Sequence, residues 1–105
     1  MQLKESVKAL GVSPELLLAV IVADEVFTLH EIDFVITSLC DSKHQAAHSL
    51  HYAGNAFDIR IRHIPTKEQI DSIVAQLKTS LTADYQVILE KDHIHIEYQP
   101  VYHMS

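Results

Sequence analysis

The spacing of hydrophobic positions along the chain predicts three helices. Residues 2–10 form a short helical segment. A longer helix begins after Ser13 and runs to about His30, since serine is a favoured N-cap residue and Pro14 suits the first helical position. A third helix follows Thr66, and its hydrophobic residues recur at helical spacing. They are Ile70, Ile73, Val74, Leu77 and Leu81.

Alternating and β-branched runs predict four strands, at residues 33–39, 56–61, 85–90 and 93–98. Residues 91–92, between the last two strands, suit a tight turn. The order of helices and strands predicts an α+β fold, with a mainly antiparallel sheet and helices packed on one face. Residues 40–55 show no hydrophobic period and predict a long loop, and a loop of that length in a small domain is more often functional than idle.

Composition and charge narrow the class of protein. The 105 residues predict a single domain spanning 1–105. Fourteen acidic and eight basic side chains give a net charge of −6, which argues against a nucleic-acid binder because such proteins carry clustered Lys and Arg. No apolar run is long enough to span a membrane, and the N-terminus lacks the features of a signal peptide, so we expect synthesis in the cytoplasm. Cys40 is the single cysteine, which excludes an internal disulfide and a cysteine-rich zinc site. No heptad pattern is present, and the oligomeric state stays open.

Eight histidines are many for a chain of this length, and two segments combine them with carboxylates. In the first segment, His51 is followed by Asp58. In the second, alternation along a strand puts His93 and His95 on the same face, with two isoleucines on the other. Two histidines and one aspartate with a fourth position left open form the pattern of a catalytic zinc site. A carboxylate near the zinc-bound water can then act as general base.

Both segments resemble the motifs of a known superfamily. Residues 49–58 read S-L-H-Y-A-G-N-A-F-D. This stretch resembles the S-x-H-x-x-G-x-A-x-D motif of the D-alanyl-D-alanine carboxypeptidase-type zinc peptidases, a superfamily that includes the hedgehog signalling domain and phage L-alanyl-D-glutamate endolysins. Residues 92–95 read D-H-I-H and are similar to its second motif, an acid three residues before the last zinc ligand. The resemblance spans about residues 34–98 and is closest to small phage or prophage members.

The resemblance implies a role for each matching residue. His51, Asp58 and His95 would be the ligands of a zinc ion. Asp92 would be the general base that takes a proton from the zinc-bound water. His93 would line the site and stabilise the tetrahedral intermediate. The implied substrate is a peptidoglycan stem peptide, and the implied place of action is the cell wall, reached through a separate pore or carried in a virion.

Three further residues are weaker candidates for contacts with the ligands or the substrate: His44, Ser49 and Asn55. The chain also departs from the family where many relatives carry an arginine, in an S-G-Y-R-S stretch before the first motif. Here residues 38–42 read S-L-C-D-S, with Asp41 in the place of the arginine. The candidates to replace that arginine are Arg60, Arg62, His44 and His48.

Two questions stay open from the sequence. Glu90 precedes His93 by the same interval at which Asp92 precedes His95, so either acid satisfies the spacing of the base. The function has three interpretations: a zinc peptidase, a zinc-containing binding module without activity, which Asp41 favours, and a structural domain without a metal. The first is the main prediction.

Overall fold

The fold is α+β, as the sequence predicts. A computed structural model describes residues 2–3, 13–40 and 55–100 of the chain. The elements in chain order are β1 (Gln2–Leu3), α1 (Pro14–Leu29), β2 (Val35–Cys40), β3 (Ala56–Arg60), α2 (Lys67–Ser80), β4 (Tyr85–Leu89) and β5 (His93–Tyr98).

The five strands form one sheet in the order β1-β2-β3-β5-β4. β1 pairs with β2 in parallel, and every other pairing is antiparallel. β4 and β5 form a hairpin, in which the amide of Glu90 donates to the carbonyl of His93 across 2.9 Å. The predicted turn at residues 91–92 is therefore confirmed. This topology makes β3 and β5 neighbours at the centre of the sheet.

The two helices pack on one face of the sheet and bury alternate strand residues. In β5, Ile94 and Ile96 have no exposed surface, and Ile59 of β3 is equally buried. They join one hydrophobic cluster with α1 and α2, to which the helices contribute the following residues: Leu16, Ala19, Val20, Ala23, Val26, Phe27, Ile73, Val74 and Leu77. Because side chains alternate along a strand, the residues between the isoleucines lie on the opposite face of the sheet.

Polar contacts fix the ends of the helices. The hydroxyl of Ser13 accepts from the amide of Leu16, and α1 begins with a proline, as the sequence predicts. At the other end Glu31 has a φ of 57°, in the left-handed region that favours glycine. The amide of Glu31 donates to the carbonyl of Thr28, and the amide of Ile32 donates to that of Phe27. These two bonds form a Schellman motif, which turns the chain from α1 towards β2.

The N-terminal segment corrects one prediction. Residues 2–10 were expected to begin as a helix, but Gln2 and Leu3 form β1 and pair with Val35 and Ile36. Pairing with a sheet supplies backbone hydrogen-bond partners that outweigh a weak helical pattern. Residues 4–12 and the predicted loop at 41–54 lie outside the described part of the chain. Within the part that is described, no helix has the length and apolar character needed to cross a membrane.

Candidate metal and catalytic site

The candidate site lies on the face of the sheet opposite the helices, at the centre, where β3 meets β5. Asp58 pairs directly with His95, and Arg60 pairs directly with His93. Residues directly opposite each other in an antiparallel pair point to the same face, so these four side chains form one polar patch. The sequence prediction that His93 and His95 share a face is therefore confirmed.

A bulge in β2 adds polar groups to the same face. Ile36 pairs with Ile59 and Ser38 pairs with Asp58, so Thr37 is an extra residue between two successive pairs. A bulge bends its strand and changes the direction of a side chain, and bulges are common beside active sites. Thr37 lines the cavity next to Asp58 as a result.

His95 is held between two carboxylates. Its Nδ1 lies 2.7 Å from Oδ1 of Asp58, and its Nε2 lies 3.0 Å from Oε1 of Glu97. The side-chain Nε2 of Gln99 donates to the other carboxylate oxygen of Glu97. The ring of His95 is therefore fixed in orientation, with Nδ1 towards Asp58 and Nε2 towards Glu97.

These contacts change the pKa of His95. Burial by itself lowers the pKa, since it disfavours the charged imidazolium. The hydrogen bonds to Glu97 and Asp58, with the charges of both carboxylates, outweigh that effect and raise the pKa above the ordinary value of 6.5. In the absence of a metal, the site thus favours an imidazolium that donates from both nitrogens.

Asp92 and His93 form a second pair at the end of the β4–β5 turn. Nδ1 of His93 lies 2.7 Å from Oδ1 of Asp92, and Nε2 of His93 lies 3.8 Å from Oδ1 of Asp58. The side chain of Asp92 is 77% exposed. The hydrogen bond from His93 holds the pKa of Asp92 below its usual value, so this carboxylate stays ionised at neutral pH. The pair therefore places an ionised carboxylate and an imidazole at the edge of the patch.

A cavity of about 330 Å³ opens beside these residues, and it is lined by Thr37, Asp58, Arg60, Arg62, Asp92 and His93. Nε of Arg60 is buried and has no hydrogen-bond partner among the described residues. The described lining of this cavity includes Asp92 and does not include Glu90. Of the two acids that satisfy the spacing in the sequence, Asp92 is the one that borders the cavity.

The structure brings together Asp58, His95, His93 and Asp92. The remaining candidate ligand, His51, lies outside the described residues, as do His44, His48, Ser49 and Asp41. The hypothesis that Asn55 contacts the ligands or the substrate stays a prediction. Its side chain is buried and accepts a hydrogen bond from the hydroxyl of Ser13, across 3.1 Å, so it joins the start of β3 to the N-cap of α1.

The donors that are present suit zinc, although they do not complete a site. Within residues 2–3, 13–40 and 55–100, no three His, Cys, Asp or Glu side chains are placed so as to hold a metal ion together. Asp58 and His95 offer a carboxylate and an imidazole, both of which zinc binds. Glu97 holds the second nitrogen of His95, as carboxylates do for metal-bound histidines. The set therefore fits zinc if a third ligand comes from outside those residues, where the resemblance puts His51.

Sequence reasoning missed Glu97 as a partner of the site. The signal was available, because Glu97 follows His95 by two positions in a predicted strand and must share its face. Two histidines outside both motifs, His30 and His63, have contacts of their own. Nε2 of His30 lies 2.8 Å from the side-chain oxygen of Gln76, and Nε2 of His63 lies 2.7 Å from the carbonyl of Asp33.

Comparisons with known proteins identify no relative of this chain. No protein-family model, no curated protein and no solved structure matches the chain. The likeness to zinc peptidases therefore depends on the motifs at residues 49–58 and 92–95.

Proposed function

We propose that the protein is a zinc-dependent peptidase that hydrolyses an amide bond in peptidoglycan stem peptides. The observation that supports it most is the direct pairing of Asp58 with His95 on the face of the sheet opposite the helices. Two of the three ligands implied by the resemblance, 37 residues apart in the chain, have side chains 2.7 Å apart. The Asp92–His93 pair borders the same patch, and a cavity of about 330 Å³ lies next to it.

The residues that would hold the metal are His51, Asp58 and His95. A zinc ion bound there would polarise the scissile carbonyl and lower the pKa of a bound water to ~7. Glu97 keeps the proton of His95 on Nε2, which leaves Nδ1 as the nitrogen that can bind the metal. Asp58 lies on the Nδ1 side, so the carboxylate and that nitrogen converge on one position.

Asp92 would take the proton of the attacking water, and His93 would stabilise negative charge on the substrate. The carboxylate of Asp92 is ionised at neutral pH and borders the cavity, so it can take a proton from the attacking water. Nδ1 of His93 donates to Asp92, which turns Nε2 of His93 towards Asp58 and the patch. A His93 ring protonated on both nitrogens could also donate a hydrogen bond from Nε2 to negative charge that develops on the substrate oxygen.

Digestion of purified peptidoglycan tests this proposal. Zinc-loaded protein should release peptides that mass spectrometry detects, and removal of zinc should stop the release until zinc is restored. Asp92→Asn keeps the size of the side chain and should lower the rate by about 100-fold or more while zinc stays bound. Glu90→Gln is the matched control, because it removes the same charge from the same turn, and it should have a mild effect.

Two results would change the proposal. An inactive Glu90→Gln protein beside an active Asp92→Asn protein assigns the base to Glu90 and the third ligand to His93. A wild-type protein that binds zinc firmly and releases no peptide from any peptidoglycan is a zinc-containing binding module. The acid at position 41, where many relatives have an arginine, favours that second function.

A further inference from the structure

The outward surface of α1 is hydrophobic although it points away from the sheet. Four large apolar side chains of this helix are exposed by half or more: Leu17 (50%), Leu18 (56%), Ile21 (56%) and Leu29 (66%). Together with Val22, which is partly buried, we call them the outer face of α1. They lie on the side of the helix opposite its buried residues. A helix that is hydrophobic on all sides is normally buried on all sides, so α1 has a face suited to a further packing partner.

The neighbouring helix α2 shows that the fold does not require such a face. α2 contacts α1 and packs on the same side of the sheet. Its exposed positions carry polar or small side chains, namely Lys67, Glu68, Asp71, Ser72, Ala75, Lys78, Thr79 and Ser80. Isolated exposed leucines are common on protein surfaces, whereas a contiguous apolar patch marks an interaction surface. The contrast between the two helices therefore points to a binding role for the outer face of α1.

The charges of α1 narrow the choice of partner. The helix contains Glu15, Asp24 and Glu25 and no lysine or arginine. Helices that lie on a membrane surface carry basic residues around their apolar face, because these residues attract anionic lipids. The acids of α1 therefore disfavour a lipid surface. They disfavour a nucleic acid for the same reason, since its phosphates are negatively charged.

A second copy of this chain offers a surface that matches in shape and charge. If two α1 helices pack antiparallel with Leu18 opposite Ile21, Pro14 of each helix lies opposite Glu25 of the other. Each Glu25 carboxylate then lies near the N-terminus of a helix, where the helix dipole favours negative charge. Glu15 lies about 100° round the helix from Pro14, so it points away from Glu25 of the second copy. In this register apolar residues meet, and the acids of the two helices do not face each other.

The area of the outer face of α1 suits a weak dimer. Four leucine and isoleucine side chains, each at least half exposed, present roughly 400 Å² of apolar surface. Two copies of this face with their polar rims would bury on the order of 1,000 Å² in total, which is the lower limit for a specific interface. Interfaces of this size belong to reversible complexes. We therefore expect a Kd of about 10 to 100 µM.

From these observations we infer that the outer face of α1 joins two copies of this chain in an antiparallel pair, with Leu18 of one copy against Ile21 of the other. A two-fold axis lets one face serve as both halves of the interface. The candidate metal site lies on the opposite face of the sheet. The dimer therefore keeps both candidate sites outside the interface and directs them away from each other. This inference does not depend on the proposed function.

Sedimentation velocity of the full chain between about 5 and 500 µM tests the inference. The wild-type protein should show a reversible monomer–dimer equilibrium. Ile21→Asp places a charge at the centre of the interface on both copies and should raise the Kd by at least about 10-fold. Leu89→Asp is the matched control, because Leu89 is an apolar residue that is 41% exposed on β4, and its Kd should stay within about 2-fold of the wild type. Circular dichroism checks that both variants are folded.

Mixing two variants tests the antiparallel register. Ile21→Asp and Leu18→Lys should each weaken the dimer when studied alone. In the mixture, the acid introduced at position 21 faces the lysine introduced at position 18, and the other contact between Leu18 and Ile21 stays intact. The mixed dimer should therefore be at least about 5-fold tighter than either variant with itself. Ile21→Asp mixed with Leu29→Lys is the control, because position 29 does not face position 21 in this register, and it should show no such gain.

Three results would overturn the inference. The first is a wild-type protein that stays monomeric up to about 500 µM. If that monomer binds phosphatidylcholine vesicles and Ile21→Asp abolishes the binding, the outer face of α1 takes lipid instead. The second is a dimer that Leu89→Asp weakens and Ile21→Asp does not, which places the interface at β4. The third is a mixture of Ile21→Asp and Leu18→Lys that associates no more tightly than either variant alone, which excludes the antiparallel pairing.

Discussion

Replacement of Glu97 tests how the structure positions the proposed ligand His95. The side chain of Glu97 is only 14% exposed. One of its oxygens contacts Nε2 of His95, and the other contacts the side-chain Nε2 of Gln99. If Nδ1 of His95 binds zinc, Glu97 fixes the proton on Nε2 and makes the imidazole a better ligand. Loss of Glu97 should therefore weaken zinc binding although Glu97 is not a ligand.

The size of the effect depends on the substitution. Partners of this kind typically contribute 10- to 100-fold to metal affinity. Glu97→Gln keeps an oxygen that can accept from Nε2 at the same 3.0 Å and loses only the charge, so we expect a loss of about 10-fold. Glu97→Ala removes the acceptor as well, and we expect a loss nearer to 100-fold.

Competition with a chromogenic zinc chelator at pH 7.5 measures these affinities. Glu25→Gln is the matched control, because it removes the same charge from an exposed position on α1, which packs on the opposite face of the sheet. Its affinity should equal that of the wild type. If both Glu97 variants bind zinc as tightly as the wild type, His95 does not bind zinc through Nδ1 with its Nε2 held by Glu97.

Three further predictions concern pH and backbone strain. Zinc affinity should fall as the pH falls, starting above pH ~6.5, because the imidazole must lose its proton to bind zinc and the pKa of His95 is raised; constant affinity between pH 5 and 8 contradicts histidine ligation. In the metal-free protein the dependence reverses. A raised folded-state pKa stabilises the fold fully below ~6.5, and this stabilisation is lost as the pH rises through the folded-state pKa. Urea unfolding of metal-free wild type and Glu97→Gln at pH 5.5 and 8.5 should therefore give a difference in free energy of unfolding that is smaller at the higher pH. Finally, Glu31→Gly removes left-handed strain at the end of α1 and should raise the free energy of unfolding by about 0.5 to 1 kcal/mol, or the Tm by about 3 to 6 °C; an unchanged or lower Tm contradicts this account of the Schellman motif.

The elements with strong local signals could be predicted from the sequence. Ser13 and Pro14 set the start of α1, and strict alternation set the bounds of β5 at residues 93–98. The short β1 could not be predicted in this way, because two residues carry no period. Its formation depends on pairing with β2, which is distant in the chain.

In the candidate site too, features set by local pattern could be predicted from the sequence, and features set by contacts between distant residues could not. Histidines at alternate positions of a strand must share a face, so the common face of His93 and His95 follows from the sequence pattern. Their pairing with residues of β3 depends on the two strands being neighbours. The role of Asn55 could not be predicted, because its contact with Ser13 joins residues 42 positions apart. The convergence of Arg60 and Arg62 on the cavity also depends on the order of strands, which the sequence pattern does not specify.

Zinc binding by purified protein tests the central claim most directly. Metal-free protein titrated with zinc should take up about one ion per chain, as measured by inductively coupled plasma mass spectrometry after removal of unbound metal. His51→Ala, Asp58→Ala and His95→Ala should each lose most of this zinc, while Asp71→Ala, an exposed acid on α2, should keep it. Full occupancy in any of the three variants removes that residue from the ligand set. A wild-type protein that retains no zinc contradicts the metal site altogether.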